Sequence, residues 1–178
     1  MGGNKIEAGI DHRFHCGGRD RQTAPSAVTG EDVIVESQSM SLGGCAYNVS
    51  EILRQSGVPY TLFSPVGTGI YGNYVREHLK RKQIPILIPA PAADNGCCYC
   101  FVEQSGERTF AALHGAEYRF ERQWFSLAES LSVGSVYVCG LELEEDTGAS
   151  YWITWKSTRN TLYTLRRVPE SASSPKAV

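Results

Sequence analysis

The stretch Ser41-Leu-Gly-Gly-Cys-Ala-Tyr-Asn-Val-Ser-Glu-Ile-Leu-Arg-Gln-Ser-Gly57 predicts a glycine-opened turn followed by a short helix. From Cys45 onward the apolar residues recur at helical spacing, and Gly57 stands where a left-handed cap would end the helix. Gly43 and Gly44 carry no side chain that would hold a ligand away from the backbone. The N–H groups of the first helical turn point towards the same place.

Asn48 lies in that first turn, and its side-chain amide can both donate and accept hydrogen bonds. Such a group suits a neutral, hydroxyl-rich ligand better than a phosphate, which only accepts. These residues alone therefore indicate one of two things: the floor of a pocket for hydroxyl groups, or a tight strand-to-helix turn that binds nothing.

The composition of the 178 residues is that of an ordinary soluble domain, with 20% charged and 42% hydrophobic residues. A net charge of −2 gives no reason to expect nucleic acid or a membrane surface as partner. The sequence has no signal-peptide core and no apolar run near ~18 residues, which predicts a cytoplasmic protein. The six cysteines offer no two pairs at the spacing of a structural metal site, so we expect reduced thiols and no metal site.

Strand and helix patterns alternate along the first part of the chain. This alternation predicts an α/β domain in which right-handed βαβ units surround a parallel sheet. The predicted strands are residues 5–10, ending at Asp11, then 33–40, 60–66, 84–88 and 135–139, and the helices are 45–56, 73–82 and 120–131.

A hairpin interrupts this alternation. Residues 97–102 and 108–113 are β-like runs on either side of a turn near Gly106. Because side chains alternate along a strand, Cys98 and Cys100 share one face of the first run. The sequence therefore predicts an α/β layer with an inserted β hairpin.

Residues 151–178 differ from the rest of the chain. They hold five basic residues and one acidic residue, and their apolar side chains show only weak periodicity. The run Ser171-Ala-Ser-Ser-Pro175 is typical of disordered segments. We therefore take residues 1–150 as one α/β domain and leave 151–178 as an unassigned basic tail.

Four short motifs follow one another along the chain: Gly43-Gly-Cys-Ala-Tyr-Asn48 with Gly57, Val66-Gly-Thr-Gly-Ile-Tyr-Gly72, Gly106-Glu-Arg-Thr109 and Gly115-Ala116. In this order and at this spacing they resemble the N-terminal half of the ribokinase-like (PfkB) carbohydrate kinases, between about residues 41 and 143. The resemblance implies a Rossmann-like parallel sheet with flanking helices, and a small β lid of strands at about 33–40 and 96–114. It also implies ATP and Mg²⁺ as cofactors, a sugar or nucleoside as substrate, and a homodimer formed through the lid.

The same resemblance implies which residues contact the substrate. The glycine pair and the asparagine of the following helix would meet substrate hydroxyls, as would an aspartate after the first strand. The lid strand would present two side chains to the pocket, and an acid after the strand at 135–139 would face the substrate. By these criteria the substrate-binding residues are Asp11, Gly43, Gly44, Asn48, Cys98, Cys100 and Glu142.

The sequence also departs from the family pattern. Gly69 stands where the family's Gly-x-Asp-x-x-Gly motif has its acid. The Gly-Ala-Gly-Asp helix start, which in the family supplies an anion hole and the catalytic base, does not occur. We therefore expect a truncated kinase that lacks the C-terminal half of the fold, the catalytic residues and the nucleotide-site residues.

Two other interpretations remain open. Gly67-Thr-Gly-Ile-Tyr-Gly72 also satisfies the Gly-x-Gly-x-x-Gly fingerprint of dinucleotide-binding turns, although Asp94, the acid that follows, is 27 residues from Gly67 rather than about 20. The chain could instead be a non-catalytic sugar-binding or dimerisation module, whose open strand edge at 108–113 pairs with a second copy.

Overall fold

A computed structural model of the chain describes residues 4–6, 9–16, 35–103, 106–129, 135–139 and 162–166. These ranges form two four-stranded sheets with helices packed against them. The strands are β1 (Asn4–Ile6), β2 (Gly9–Cys16), β3 (Val35–Gly43), β4 (Tyr60–Leu62), β5 (Cys97–Val102), β6 (Arg108–Leu113), β7 (Ser135–Cys139) and β8 (Leu162–Arg166), and the helices are α1 (Cys45–Gln55), α2 (Ile70–Arg81) and α3 (Phe125–Glu129).

The first sheet has the strand order β4-β1-β7-β8, and every neighbouring pair in it is parallel. Successive residues at the end of β4 point to opposite faces, as strand geometry requires. Leu62 packs into an apolar cluster with α1 and α2, whereas Phe63 packs with Trp124, Phe125 and Val136. The sheet therefore lies between two apolar layers, which confirms the predicted α/β class.

The second sheet has the order β3-β2-β5-β6. Its central pair, β2 and β5, is parallel, and each of its edge strands runs antiparallel to its neighbour. The predicted hairpin is present as β5 and β6, with Cys97 opposite Leu113 and Val102 opposite Arg108. We call this layer the mixed sheet.

Helices α1 and α2 confirm the two strongest periodic patterns of the sequence. Helix α1 buries Ala46 and Tyr47, and its end is followed by Gly57 in the left-handed region at φ 67°. Helix α2 begins at Ile70, three residues before the predicted start, and buries Val75 and Leu79. Both helices contribute to the cluster that contains Leu62.

Two strand predictions in the N-terminal half are wrong in detail. Residues 5–10 are not one strand ending at Asp11, because β1 ends at Ile6 and Asp11 lies inside β2. Strand β2 continues to Cys16, through residues predicted as loop, because it has a partner strand on each side. The run at 60–66 forms a strand only as far as Leu62.

Residues 84–88 form neither strand nor helix, contrary to the prediction. Ile84 and Ile88 are buried as the apolar pattern indicates, at 7% and 2% exposure. Pro85 and Pro89 explain the rest, since proline has no N–H to donate and is excluded from the interior of a sheet. Residues 84–88 thus contribute buried side chains to the core but do not form a strand of a sheet.

In the C-terminal part of the chain, the predicted strand is confirmed and the predicted helix differs. Strand β7 lies at Ser135–Cys139 as predicted, whereas the helix predicted at 120–131 is a 3-10 turn at Arg122–Trp124 followed by α3. Strand β8 lies within the unassigned segment 151–178 and pairs in parallel with β7. No helix in the described ranges is long and apolar enough to cross a membrane.

Candidate functional site

The candidate site begins where β3 passes into α1. Gly43 is the last residue of β3 and is buried, and Gly44, which follows it, is the exposed N-cap of α1. Gly44 has φ 94° and ψ 147°, a conformation that residues with a side chain rarely adopt. No side chain caps this end of the helix and its first turn contains no acid, so the positive end of the helix dipole has no neutralising carboxylate of its own.

Asn48 stands one helical turn beyond Gly44. Its backbone N–H donates to the carbonyl oxygen of Gly44 at 3.0 Å, which closes the first turn. Residues four apart lie on the same side of a helix, so the Asn48 side chain is on the side of the diglycine turn. Asn48 is exposed to solvent, which leaves its amide accessible to a ligand.

The register of the mixed sheet brings the other predicted residues towards this turn. Asp11 is in register with Ser41 of β3 on one side and Cys98 of β5 on the other. Neighbouring strands lie about 4.8 Å apart, so Asp11 and Cys98 have adjacent backbones although they are far apart in sequence. Gly43 is only two residues beyond Ser41 along β3.

The two predicted cysteines of β5 differ in exposure. Cys97 belongs to the core cluster and Tyr99 packs against it, so Cys98 and Cys100 lie on the opposite face of β5, as predicted. Cys98 is half-buried, whereas Cys100 is 1% exposed. A small molecule at this face would therefore reach Cys98 more readily than Cys100. Glu142, the last predicted site residue, lies outside the described residues.

Two tyrosines of α2 fix the helix against the mixed sheet. The Tyr71 and Tyr99 hydroxyl oxygens are 2.9 Å apart, and the Tyr74 hydroxyl donates to the backbone carbonyl of Met40 in β3 at 2.9 Å. The hydrogen bond with Tyr99, followed by one with Cys97 and by burial, raises the pKa of Tyr71 well above its usual range. These contacts tie α2 to both β3 and β5.

The first turn of α2, which follows the Gly-x-Gly-x-x-Gly turn, is capped by an acid whose place there no local sequence pattern predicts. The Asp94 carboxylate accepts hydrogen bonds from the backbone N–H groups of Tyr71 at 3.3 Å and Gly72 at 2.7 Å. Those N–H groups belong to the first turn of α2, where a dinucleotide would place its pyrophosphate. Because Asp94 already occupies that position, the geometry argues against the dinucleotide interpretation.

The described residues contain no cluster of three or more His, Cys, Asp or Glu side chains that could hold a metal ion. Two acids near the turns bind backbone amides instead. Asp94 accepts hydrogen bonds from the amides of α2, and Glu117 is buried among the amides of Gly96 and Gly115.

Comparison with known sequences shows a match to one protein family. The sequence profile of the pfkB family carbohydrate kinases matches residues 18–162. The chain is also 31% identical over 119 residues to the uncharacterized sugar kinase YegV of Escherichia coli K12. That alignment covers 67% of this chain but 37% of YegV.

Solved structures give the same fold. The ribokinase of Giardia lamblia matches 97% of this chain with a TM-score of 0.74 and 19% identity. The ribokinase of Cryptococcus neoformans var. grubii serotype A, solved in complex with ADP, matches 96% with a TM-score of 0.71 and 17% identity. The chain covers 56% and 51% of these two proteins, so it spans about half the length of the solved relatives.

Proposed function

Because the chain belongs to the pfkB family of carbohydrate kinases, we propose that it forms the substrate-binding part of an ATP-dependent sugar or nucleoside kinase. In this proposal the diglycine turn and the first turn of α1 bind the hydroxyl groups of the substrate. The ATP-binding and catalytic groups belong to a part of the fold that the matched relatives have and that this sequence does not contain.

The observation that carries the proposal is the convergence of three chain segments at the N-terminus of α1. The mixed sheet sets Asp11 beside Cys98, β3 ends at the Gly43-Gly44 turn, and Asn48 is exposed one turn further along α1. Backbone amides and a carboxamide supply both donors and acceptors, which is what neutral hydroxyl groups require.

Each proposed residue has a distinct part in binding. The Asn48 amide donates to one hydroxyl oxygen and accepts from another hydroxyl group. The Asp11 carboxylate accepts from a pair of hydroxyls, a geometry that vicinal diols of sugars and riboses offer. Cys98 supplies an apolar contact to the carbon skeleton, with Cys100 behind it, and Glu142 accepts from a further hydroxyl.

Phosphoryl transfer needs positioned charge around the γ-phosphate, a metal ion and a group that orients the attacking hydroxyl. The sequence has no Gly-Ala-Gly-Asp motif, and the described residues contain no carboxylate cluster that could hold a metal ion. We therefore propose that the 178 residues bind substrate without phosphorylating it, and that ATP and Mg²⁺ act only in a chain that includes the remaining part of the fold.

A second candidate function, self-association, is favoured by the outer edge of the mixed sheet. All six residues of β6 are exposed, and Phe110 and Leu113 are each 58% exposed. An edge strand with exposed apolar side chains is a natural surface for pairing with another strand. We propose a homodimer through β6, and light scattering tests it, since a strict monomer at high concentration would exclude it.

The proposed function is tested by an ATP-consumption assay across a panel of sugars and nucleosides. The 178-residue chain is compared with a version that is extended by any downstream reading frame of the same family. We expect turnover only in the extended version. Vigorous phosphorylation by the 178 residues would contradict the proposed division of function, and no turnover by the extended version on any substrate would contradict the kinase assignment.

A further inference from the structure

The two ends of the β5–β6 hairpin meet at one buried carboxylate. Gly96 precedes β5 and Gly115 follows β6 by two residues. The backbone N–H of Gly96 donates to Glu117 Oε2 at 2.9 Å, and the N–H of Gly115 donates to Oε1 at 3.1 Å. Glu117 is 6% exposed, so a single side chain in the protein interior holds both ends of the hairpin together.

Asn95 extends this junction to the segment that follows β4. Its Nδ2 donates to Glu117 Oε2 at 2.9 Å and to the carbonyl oxygen of Pro65 at 3.3 Å, and its Oδ1 accepts from the N–H of Gly67 at 2.9 Å. Asn95 is 2% exposed. The segment that follows β4 is therefore joined to both ends of the hairpin through two buried polar side chains.

Asp94 completes the connection on the other side. Its carboxylate accepts from the N–H of Gly72 in α2, and its carbonyl oxygen accepts from the N–H of Ala116 at 2.9 Å. Three consecutive residues, 94–96, thus contact α2, the turn after β4 and the end of the hairpin. We call Asp94, Asn95 and Glu117 the hairpin anchor.

The two glycines that contact the anchor have no space for a side chain. A Cβ atom on Gly96 would overlap the carbonyl oxygen of Leu113 and the Glu117 carboxylate, and one on Gly115 would overlap the backbone of residues 94–96. Buried donors that lose their acceptor find no water to replace it, which makes each lost bond costly.

We propose that Asp94, Asn95 and Glu117 are positioning residues that set the orientation of the β5–β6 hairpin, and with it Cys98, relative to the diglycine turn of α1. They do so by fixing the base of the hairpin. The link to substrate binding rests on the proposed function. The anchoring itself depends only on the contacts of these three residues with the hairpin ends, the segment after β4 and α2.

The test compares Glu117→Gln with Glu121→Gln, a control at an exposed acid four residues further along the chain. Hydrogen exchange of the 178-residue protein is measured without ligand at a temperature where both variants are folded. A glutamine can offer only one carbonyl oxygen to the donors that the carboxylate serves. We expect exchange in residues 97–102 and 108–113 to rise at least about tenfold in Glu117→Gln, with α1 unchanged, and no change in Glu121→Gln.

A second measurement connects the anchor to binding. For whichever sugar or nucleoside of the panel the unmodified protein binds, we expect Glu117→Gln to weaken affinity by about tenfold or more at a temperature where it stays folded. Asp94→Asn keeps one oxygen acceptor for Gly72 and should weaken affinity less than Asp94→Ala. If Glu117→Gln does not fold, Asp94→Ala takes its place in both measurements.

The outcomes separate the two proposals. Unchanged exchange in the hairpin, or an equal rise in every element, would overturn the anchor. Local exchange that rises as expected, in a protein that binds no sugar or nucleoside of the panel, would support the anchor and contradict the proposed function. Local exchange that rises while sugar affinity stays the same would show that the anchor does not position the binding face.

Discussion

The Asp94 carboxylate accepts a 2.7 Å hydrogen bond from the backbone N–H of Gly72, although 22 residues separate the two. The N-cap of α2 is Gly69, which has no side chain to bond the first helical turn. An acid from a distant segment therefore does what a local capping residue does in most helices. The start of α2 depends on the position of the chain just before β5.

This relationship gives a stability prediction. Asp94→Ala should lower the free energy of unfolding by about 1 to 2 kcal/mol, because the N–H groups of Tyr71 and Gly72 lose their acceptor. Asp94→Asn should cost less, and Glu77→Gln, an exposed change on the same helix, should cost almost nothing. Urea unfolding measures all three, and equal stability of Asp94→Ala and the parent would refute the cap.

The hydroxyl pair of Tyr71 and Tyr99 should be energetically coupled. Each single change to phenylalanine is expected to cost about 0.5 to 1.5 kcal/mol, since it removes one side of a partly buried hydrogen bond. The double change should cost less than the sum, because the bond between the two hydroxyls is lost only once. A double-mutant cycle measures the coupling, and strictly additive costs would show that the two hydroxyls act separately.

Gly44 should tolerate no side chain. Its φ of 94° and ψ of 147° place it in a region that is open almost only to glycine, so Gly44→Ala should cost about 1 to 3 kcal/mol or shift the turn. Ser56→Ala, at the other end of α1 where φ is −84°, is the matched control. Thermal unfolding distinguishes them, and equal midpoints would contradict the strained turn.

Glu51 should give stability that depends on pH. Partial burial by itself would raise its pKa, but hydrogen bonds and charges from Arg54 and Lys82 outweigh burial, so the pKa lies below the ordinary 4.5. A depressed pKa means that the stabilisation is present above about pH 4.5 and is lost as pH falls through the lower folded value.

The measurement compares the parent with Glu51→Gln. Because the pair with Lys82, at 2.6 Å, is near the surface, we expect a difference of about 0.5 kcal/mol at pH 7 that shrinks towards pH 3 and in 1 M salt. Glu77→Gln is the control. A difference that grows on acidification would have the wrong sign for this account.

Much of the framework follows from local sequence. Periodicity and glycine positions predict α1, α2, the β5–β6 hairpin and β7, because each of these is specified by residues close together in the chain. Pro85 and Pro89 indicate that residues 84–88 do not pair within a sheet. The prediction of a strand follows instead from the apolar pattern of this run, whose residues Ile84 and Ile88 are buried.

The remaining features depend on partners that are distant in sequence. Strand β2 has no apolar period through His12 and His15, and it is a strand because β3 and β5 flank it. The hairpin anchor joins Asn95 to Glu117 across 22 residues. Its only sequence signal is the pair of glycines, Gly96 and Gly115, that bracket the hairpin.

The central claim is that the turn from Gly44 to Asn48 binds hydroxyl groups, and calorimetric titration of the 178-residue protein with a sugar and nucleoside panel tests it most directly. We expect saturable binding of at least one compound, and a loss of about tenfold or more in affinity for Asn48→Ala, whose exposed position should leave stability within about 0.5 kcal/mol of the parent. Equal affinity in Asn48→Ala, or no binding of any compound by the parent protein, would contradict the account.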